Sequence, residues 1–173
     1  MNLLAEMVES KLGIDEWNAT LEQAGVSGSY TALGLYEDQE LLTLVGVISE
    51  RTGLSSDDLV YQFGEFMFPS FNERYPELIE QSRDLLGFLE TIDSMIHVEV
   101  KKLYPDAMTP SFNHQRIDEN NLLLLYRSDR KMCRLAEGLI AGAGEYFNQK
   151  FVLTHEPCML EGSDHCGLKI SLS

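Results

Sequence analysis

Positive charge is what this 173-residue chain has least of: 13 Lys and Arg stand against 28 Asp and Glu, a formal net charge of −15. Such a surface repels nucleic-acid phosphates and anionic membranes, so neither is expected as a partner. The acid suits a basic partner or serves solubility alone, and because it is dispersed it marks no disordered tail. Long apolar runs are missing too; none approaches the ~20 residues that span a bilayer. No basic segment followed by an apolar one leads from Met1, so no signal peptide is expected and the location reads as cytoplasmic. Cysteine is limited to three, an odd number that argues against a disulfide framework and fits a reducing compartment. Internal repeats, linkers and low-complexity segments are also lacking.

What is present is an ordinary globular composition, 44% hydrophobic and 24% charged. It suffices for one domain, 1–173, with a substantial core. Apolar spacing predicts helices over 2–12, over a short stretch opened by Asp15 and ended before Gly25, and over 38–52. Residues 25–36 read as loop with one short helical turn. Ser55-Ser56-Asp57-Asp58 signals another helix start, and Pro69 predicts its end near Phe68. Short helical turns follow over 71–81, with Pro76 near one start. The longest helix is predicted over 82–104, carrying Leu85, Leu86, Leu89, Ile92, Ile96, Val100 and Leu103 and stopped by Pro105. The character then changes. Strands are expected over 111–117, 122–126, 151–155 and 166–172, with turns at 118–121 and 161–164 and a glycine-rich helix over 131–147. The fold class is α+β: a helical half, 1–81, packed on a half, 82–173, that holds an antiparallel sheet and a long helix.

Chemistry concentrates in 96–130. His97 falls at the edge of the apolar stripe of its helix. It is either a boundary histidine with its second nitrogen on water or Asp93, or a neutral imidazole ligand for iron. Tyr126, Ser128 and Arg130 alternate along an extended stretch and so share one face. They form either an exposed polar strand end or a row of donors for carboxylates. A second constellation joins Cys133, His155, Cys158 and Cys166. Cys158 and Cys166 lie opposite one another if the hairpin turns about Gly162, and Pro157 can mark the bulge that brings His155 to their side. Three thiolates and one imidazole make a closed tetrahedral zinc site; three small buried thiols are the alternative. His165 is expected on the opposite face and His114 on the surface.

The sequence resembles the heme nitric oxide/oxygen-binding domain family, related to the heme domain of soluble guanylate cyclase. The likeness rests on His97 in Ile96-His97-Val98-Glu99-Val100, on Leu103-Tyr104-Pro105-Asp106-Ala107, on Pro110, and on the Tyr-x-Ser-x-Arg signature of Tyr126, Ser128 and Arg130. It implies heme b as cofactor, with His97 on the iron, Tyr126, Ser128 and Arg130 on the propionates, and Pro110 bending the macrocycle. It also implies a heme between the two halves, with 1–81 on the distal side. Oxygen-holding members carry a distal tyrosine supported by tryptophan and asparagine; the corresponding positions here are Leu135, Leu4 and Met67, all apolar. Bound oxygen gains from a hydrogen-bond donor, whereas nitric oxide on ferrous heme needs none, so nitric oxide, with carbon monoxide, is the expected ligand. The resemblance further implies zinc at Cys133, His155, Cys158 and Cys166, where thiolate oxidation could add redox sensing.

The function expected is therefore a heme-based nitric oxide sensor. It would regulate a partner in trans, a histidine kinase or a cyclic-dinucleotide enzyme, through loss or weakening of the His97–iron bond. No catalytic residues are assigned, and 173 residues leave no room for a catalytic output domain. Two alternatives stand beside it: a heme enzyme of peroxidase or dioxygenase type, and a zinc-stabilised interaction module without heme.

Overall fold

A computed structural model describes residues 1–30, 36, 38–103 and 107–173. Tyr104, Pro105 and Asp106, in the signature and the helix stop read above, lie outside the described residues, as does part of the 25–36 loop. The helical half comprises α1 (Asn2–Leu12), α2 (Ile14–Ala24), α3 (Asp38–Thr52), α4 (Ser56–Arg74) and the short α5 (Pro76–Ile79). Then come α6 (Leu85–Thr91), a π-helical turn (Ile92–Ile96), α7 (His97–Leu103), β1 (Ser111–Arg116), β2 (Asn121–Arg127), α8 (Cys133–Tyr146), β3 (Phe151–His155) and β4 (Cys166–Leu172). The strands form a four-stranded antiparallel sheet in the order β1-β2-β4-β3. The α+β class and the division into helices followed by sheet and long helix stand as the sequence predicts.

Alternation sets the sheet's inner face. Leu122, Leu124 and Tyr126 of β2 are buried opposite Ile170, Leu168 and Cys166 of β4, and each buried aliphatic side chain contributes about 1.5–3 kcal/mol. α8 lies in the same core, with Cys133, Ala136, Ile140 and Ala143 buried. A second cluster gathers Leu4, Met7, Val8, Trp17, Leu44, Val45, Ile48, Leu59 and Phe63 from α1 to α4. α4 and α8 bridge the two by close backbone approach. A Cβ on Gly138 would stand 2.0 Å from the Tyr61 carbonyl oxygen, and one on Gly64 would stand 2.4 Å from that of Leu135.

Five local expectations need correction. α2 is not opened by Asp15 but starts at Ile14, directly after Gly13, whose φ of 93° turns the chain from α1 into it. α4 does not stop before Pro69 but runs on to Arg74. Proline removes the bond to the Glu65 carbonyl, yet Gly142 of α8 lets the chains pack closely there, its Cβ position 3.1 Å from that oxygen; tertiary packing outweighs the local preference. The predicted 82–104 helix starts at Leu85, where Asp84 caps it through the Gly87 N–H at 2.7 Å, and is interrupted at Ile92–Ile96. There the His97 N–H reaches back five residues to the Ile92 carbonyl, the widened turn of a π-helix. α8 begins two residues later than predicted, because Lys131 has a φ of 49°, a left-handed conformation no α-helix contains. The Tyr126–Arg130 row is not one extended segment. β2 ends at Arg127, and the chain turns at Ser128, where the Lys131 N–H donates to the Ser128 carbonyl at 3.1 Å and the Arg130 N–H to the Ser128 hydroxyl at 3.2 Å.

Candidate functional site

A cavity of about 230 Å³ opens between the π-helical turn, β1, the 128–132 turn and the facing sides of α4 and α8. His97, Pro110, Tyr126, Ser128, Arg130 and Leu135 all line it. Leu4 and Met67 do not; they lie in the N-terminal cluster, which Leu135 also borders. The walls are otherwise Phe68, Phe71, Phe88 and Phe112 with aliphatic side chains from α6 and α8. Phe71 escapes a sequence reading that ends α4 at Pro69, and the apolar periodicity beyond that proline is the signal that could have found it; Phe68 lies within the predicted helix but is not singled out for the site by that reading.

His97 is placed by the break in its helix. Its Nδ1 is 2.9 Å from Asp93 Oδ1, one turn earlier, and its side chain is 14% exposed. With Nδ1 occupied, Nε2 is the nitrogen left for the cavity that His97 lines. The ring lies beside Phe112, centroids 5.8 Å apart, and Phe112 in turn packs edge-on against Tyr126 at 5.1 Å. Burial pushes the Tyr126 phenol above its usual pKa, against hydrogen bonds with the Ser128 hydroxyl and the Met132 backbone that pull it down. Arg130 closes the rim in an ion pair with Asp38 at the start of α3. An apolar slot with one free imidazole nitrogen on its wall and a guanidinium and hydroxyls at one end fits a flat, largely apolar group carrying carboxylates and a metal.

The cysteine–histidine constellation also assembles. The donor atoms of Cys133, His155, Cys158 and Cys166 all lie within 4.8 Å of one another. A tetrahedron with ~2.3 Å metal–sulfur bonds has edges of ~3.8 Å, so the group needs to contract by only about an ångström. His155 Nε2 is buried without a hydrogen-bond partner, the state expected of a ligand awaiting a metal. Burial, together with the neighbouring Cys166 and Cys158 thiols, pushes Cys133 up to about 12, and burial likewise raises Cys166. A bound cation would reverse that order and displace the protons. The expected symmetry about Gly162 does not hold: the β3–β4 register, with His155 opposite Leu168, is centred between Glu161 and Gly162, and Cys158 reaches Cys166 beyond the ladder, where the neighbouring Met159 N–H donates to Cys166 Sγ at 3.2 Å. β3 ends at His155, so the chain leaves the pleat before Pro157 and brings Cys158 to the same side. The two sites share a sheet row, for Phe112 pairs with Tyr126 and Tyr126 with Cys166.

Residues 1–155 match the family described as Haem-NO-binding. The chain belongs to this family. Two solved family members are similar over 99% of the chain: the H-NOX protein of Shewanella oneidensis in the Fe(II)NO ligation state (34% identity, TM-score 0.92, 96% of that chain) and the unliganded Fe(II) H-NOX protein of K. algicida (30%, 0.91, 94%). Soluble guanylate cyclase 89Db of Drosophila melanogaster is 26% identical over 164 residues, 92% of this chain. The chain spans about a quarter of that relative's length, 24%. Haem-NO-binding domains are heme-based gas sensors that take ligands such as nitric oxide and carbon monoxide. No helix among the described residues is long and apolar enough to cross a membrane.

Proposed function

We propose that this chain is a nitric oxide sensor built on heme b, acting on a histidine kinase or a cyclic-dinucleotide enzyme in trans. The observation that carries the reading is the cavity itself. It joins the free Nε2 of His97 to an apolar wall at Leu135, and its hydroxyl and guanidinium groups, Tyr126, Ser128 and Arg130, stand together where the chain turns out of β2. Heme bound there would supply a ferrous iron that can take a diatomic gas.

The protein's own residues do the rest. His97 donates Nε2 to the iron, with its ring orientation held by Asp93. Arg130 exchanges Asp38 for propionate, and Tyr126 and Ser128 offer hydroxyls beside it. Pro110 presses on the macrocycle from the start of β1. Leu135, with Phe68 and Phe71, keeps water and donors away, which disfavours oxygen relative to nitric oxide. The neighbouring Leu4 and Met67 back Leu135 from the N-terminal cluster. Weakening or loss of His97's hold on a bound iron would free the π-helical turn that carries His97 and let the helical half shift against the sheet half, the differential a partner would read. The Cys133, His155, Cys158 and Cys166 group holds a structural zinc.

Ferrous spectra test the sensor reading. A Soret band that is unchanged in air, and that shifts with nitric oxide and with carbon monoxide, supports it. A stable oxygen complex or peroxide turnover overturns it in favour of an enzyme, and absence of heme in favour of a zinc-stabilised interaction module. His97→Gly is expected to change the ferrous spectrum and to regain it with added imidazole; unchanged spectra sink the ligand assignment. Metal analysis of fresh reduced protein is expected to find one zinc per chain, and none removes the zinc assignment.

A further inference from the structure

Glu137 is a buried carboxylate that neither site uses. It lies on α8 with 5% exposure, one of two buried polar residues among the described residues. Isolated, such a charge is costly, and two partners hold it. Its carboxylate is bonded to His155 Nδ1 and to the Arg134 guanidinium one turn back on α8. Arg134 in turn lies over the ring of Tyr61 on α4, 5.5 Å from its centroid, beside the point where Gly138 meets the Tyr61 backbone. A continuous chain thus runs Tyr61–Arg134–Glu137–His155 and ends at the buried, unpartnered Nε2.

We infer that Glu137 is the positioning residue of the zinc site and that Arg134 fastens that site to α4. The inference rests on the zinc reading above. A carboxylate accepting from Nδ1–H fixes the imidazole in the tautomer whose Nε2 lone pair faces the three sulfurs, and it raises the basicity of that nitrogen. Arg134 holds the carboxylate in place from the other side. Because its guanidinium also covers Tyr61, the arrangement at His155 is mechanically joined to the α4–α8 crossing, and α4 carries Phe68 and Phe71 into the heme cavity.

The test compares zinc affinity, by chelator competition on the full reduced chain, in the wild type, Glu137→Gln, Glu137→Ala and Arg134→Gln. Outer-shell carboxylates change metal affinity by about 10–100-fold. Glu137→Ala is expected at the upper end and Glu137→Gln, nearly the same shape, at the lower, with the apo fold of Glu137→Gln retained by circular dichroism. Imidazole nitrogen NMR of zinc-loaded protein should show the His155 Nδ1 proton protected from exchange in the wild type and unprotected in Glu137→Ala. In Arg134→Gln, zinc removal should no longer speed amide exchange in residues 60–68, as it should about tenfold in the wild type. Wild-type affinity in Glu137→Gln and Glu137→Ala, with zinc bound, overturns the positioning role and leaves the zinc site standing. Unchanged coupling in Arg134→Gln overturns the fastening. Failure of the wild type itself to bind zinc overturns both the inference and the reading beneath it.

Discussion

At the scale of single residues, the surface depends on pairings that pH can undo. Arg51 on α3 donates through Nε to Glu16 on α2 at 2.5 Å and through a terminal nitrogen at 3.1 Å. The Arg51 guanidinium holds the Glu16 carboxyl below its usual 4.5. A carboxylate depressed in the folded state adds stability above its unfolded pKa and loses it as pH falls through the folded value. The contribution of this pair is therefore present above about pH 4.5 and is lost progressively as pH falls below that, through the lower folded value. Arg51→Gln should return Glu16 to an ordinary carboxylate midpoint in a carbon-detected NMR titration and flatten that part of the acid limb of stability. A Glu16 midpoint unmoved by the substitution would show that the pair does not form in solution. Residue identity was also where the sequence spoke most clearly. The three cysteines with His155 stood out because both donor types are scarce in this chain and their chemistry is specific; His97, with Tyr126, Ser128 and Arg130, stood out only through the resemblance to the family. Glu137 did not. A Glu three residues after an Arg on a helix reads as an ordinary exposed ion pair, and only the fold shows that His155 lies beneath it.

At the scale of elements, hydrophobic period located the strands and the helices α1, α3 and α8 to within a few residues among the described residues, and the corrections at Pro69 and in the 82–104 helix fall where local pattern does not decide. Pro69 signals an end that the α4–α8 contact overrides. The π-helical turn has no distinct residue signal, since Ile92 and Ile96 fit an α-helical stripe equally well; only its bond from the His97 N–H to Ile92 reveals it. The glycines of α8 read as allowing close packing at some cost in helix propensity, and Gly138 and Gly142 are where α4 makes that approach. Gly138 is the sharpest case, because its added Cβ would meet backbone on the opposite helix at 2.0 Å, with no flexible side-chain end to give way. Gly138→Ala should gain ~1 kcal/mol of intrinsic propensity and lose more by overpacking, for a net cost of about 2–3 kcal/mol or above. Denaturant melts would show it as a lower midpoint at similar slope, and a neutral or stabilising result would mean that the helices sit farther apart than described. Gly46, which has nothing within 4 Å of its Cβ position, is the matched control: Gly46→Ala should be neutral or mildly stabilising.

At the scale of the whole molecule, two hydrophobic clusters meet along α4 and α8, and the cavity lies at that meeting. The two are built differently. The C-terminal cluster is cross-linked by the sheet ladder, and Leu122, Leu124, Leu168 and Ile170 are fully buried within it. The N-terminal cluster consists of helices packed chiefly on one another and on α4, with its turns secured by glycines at positive φ, Gly13, Gly25 and Gly53. Helices joined to their neighbours by side-chain packing alone open at lower free energy than central strands hydrogen-bonded on both sides. Native-state hydrogen exchange on the heme-free protein should therefore resolve two levels. Amides of β2 and β4 should exchange only through global unfolding, and those of α1 to α3 through a smaller opening that leaves the sheet closed. Loading the cavity should raise the lower level toward the upper, because a ligand touching α4, the helix on which α1 and α3 pack, binds the closed arrangement and not the open one. A single exchange level in the heme-free protein would contradict this view and would also remove the basis for a helical half that moves against a fixed sheet. Two levels that merge on loading, and separate again in His97→Gly, would place the control of that motion at the π-helical turn.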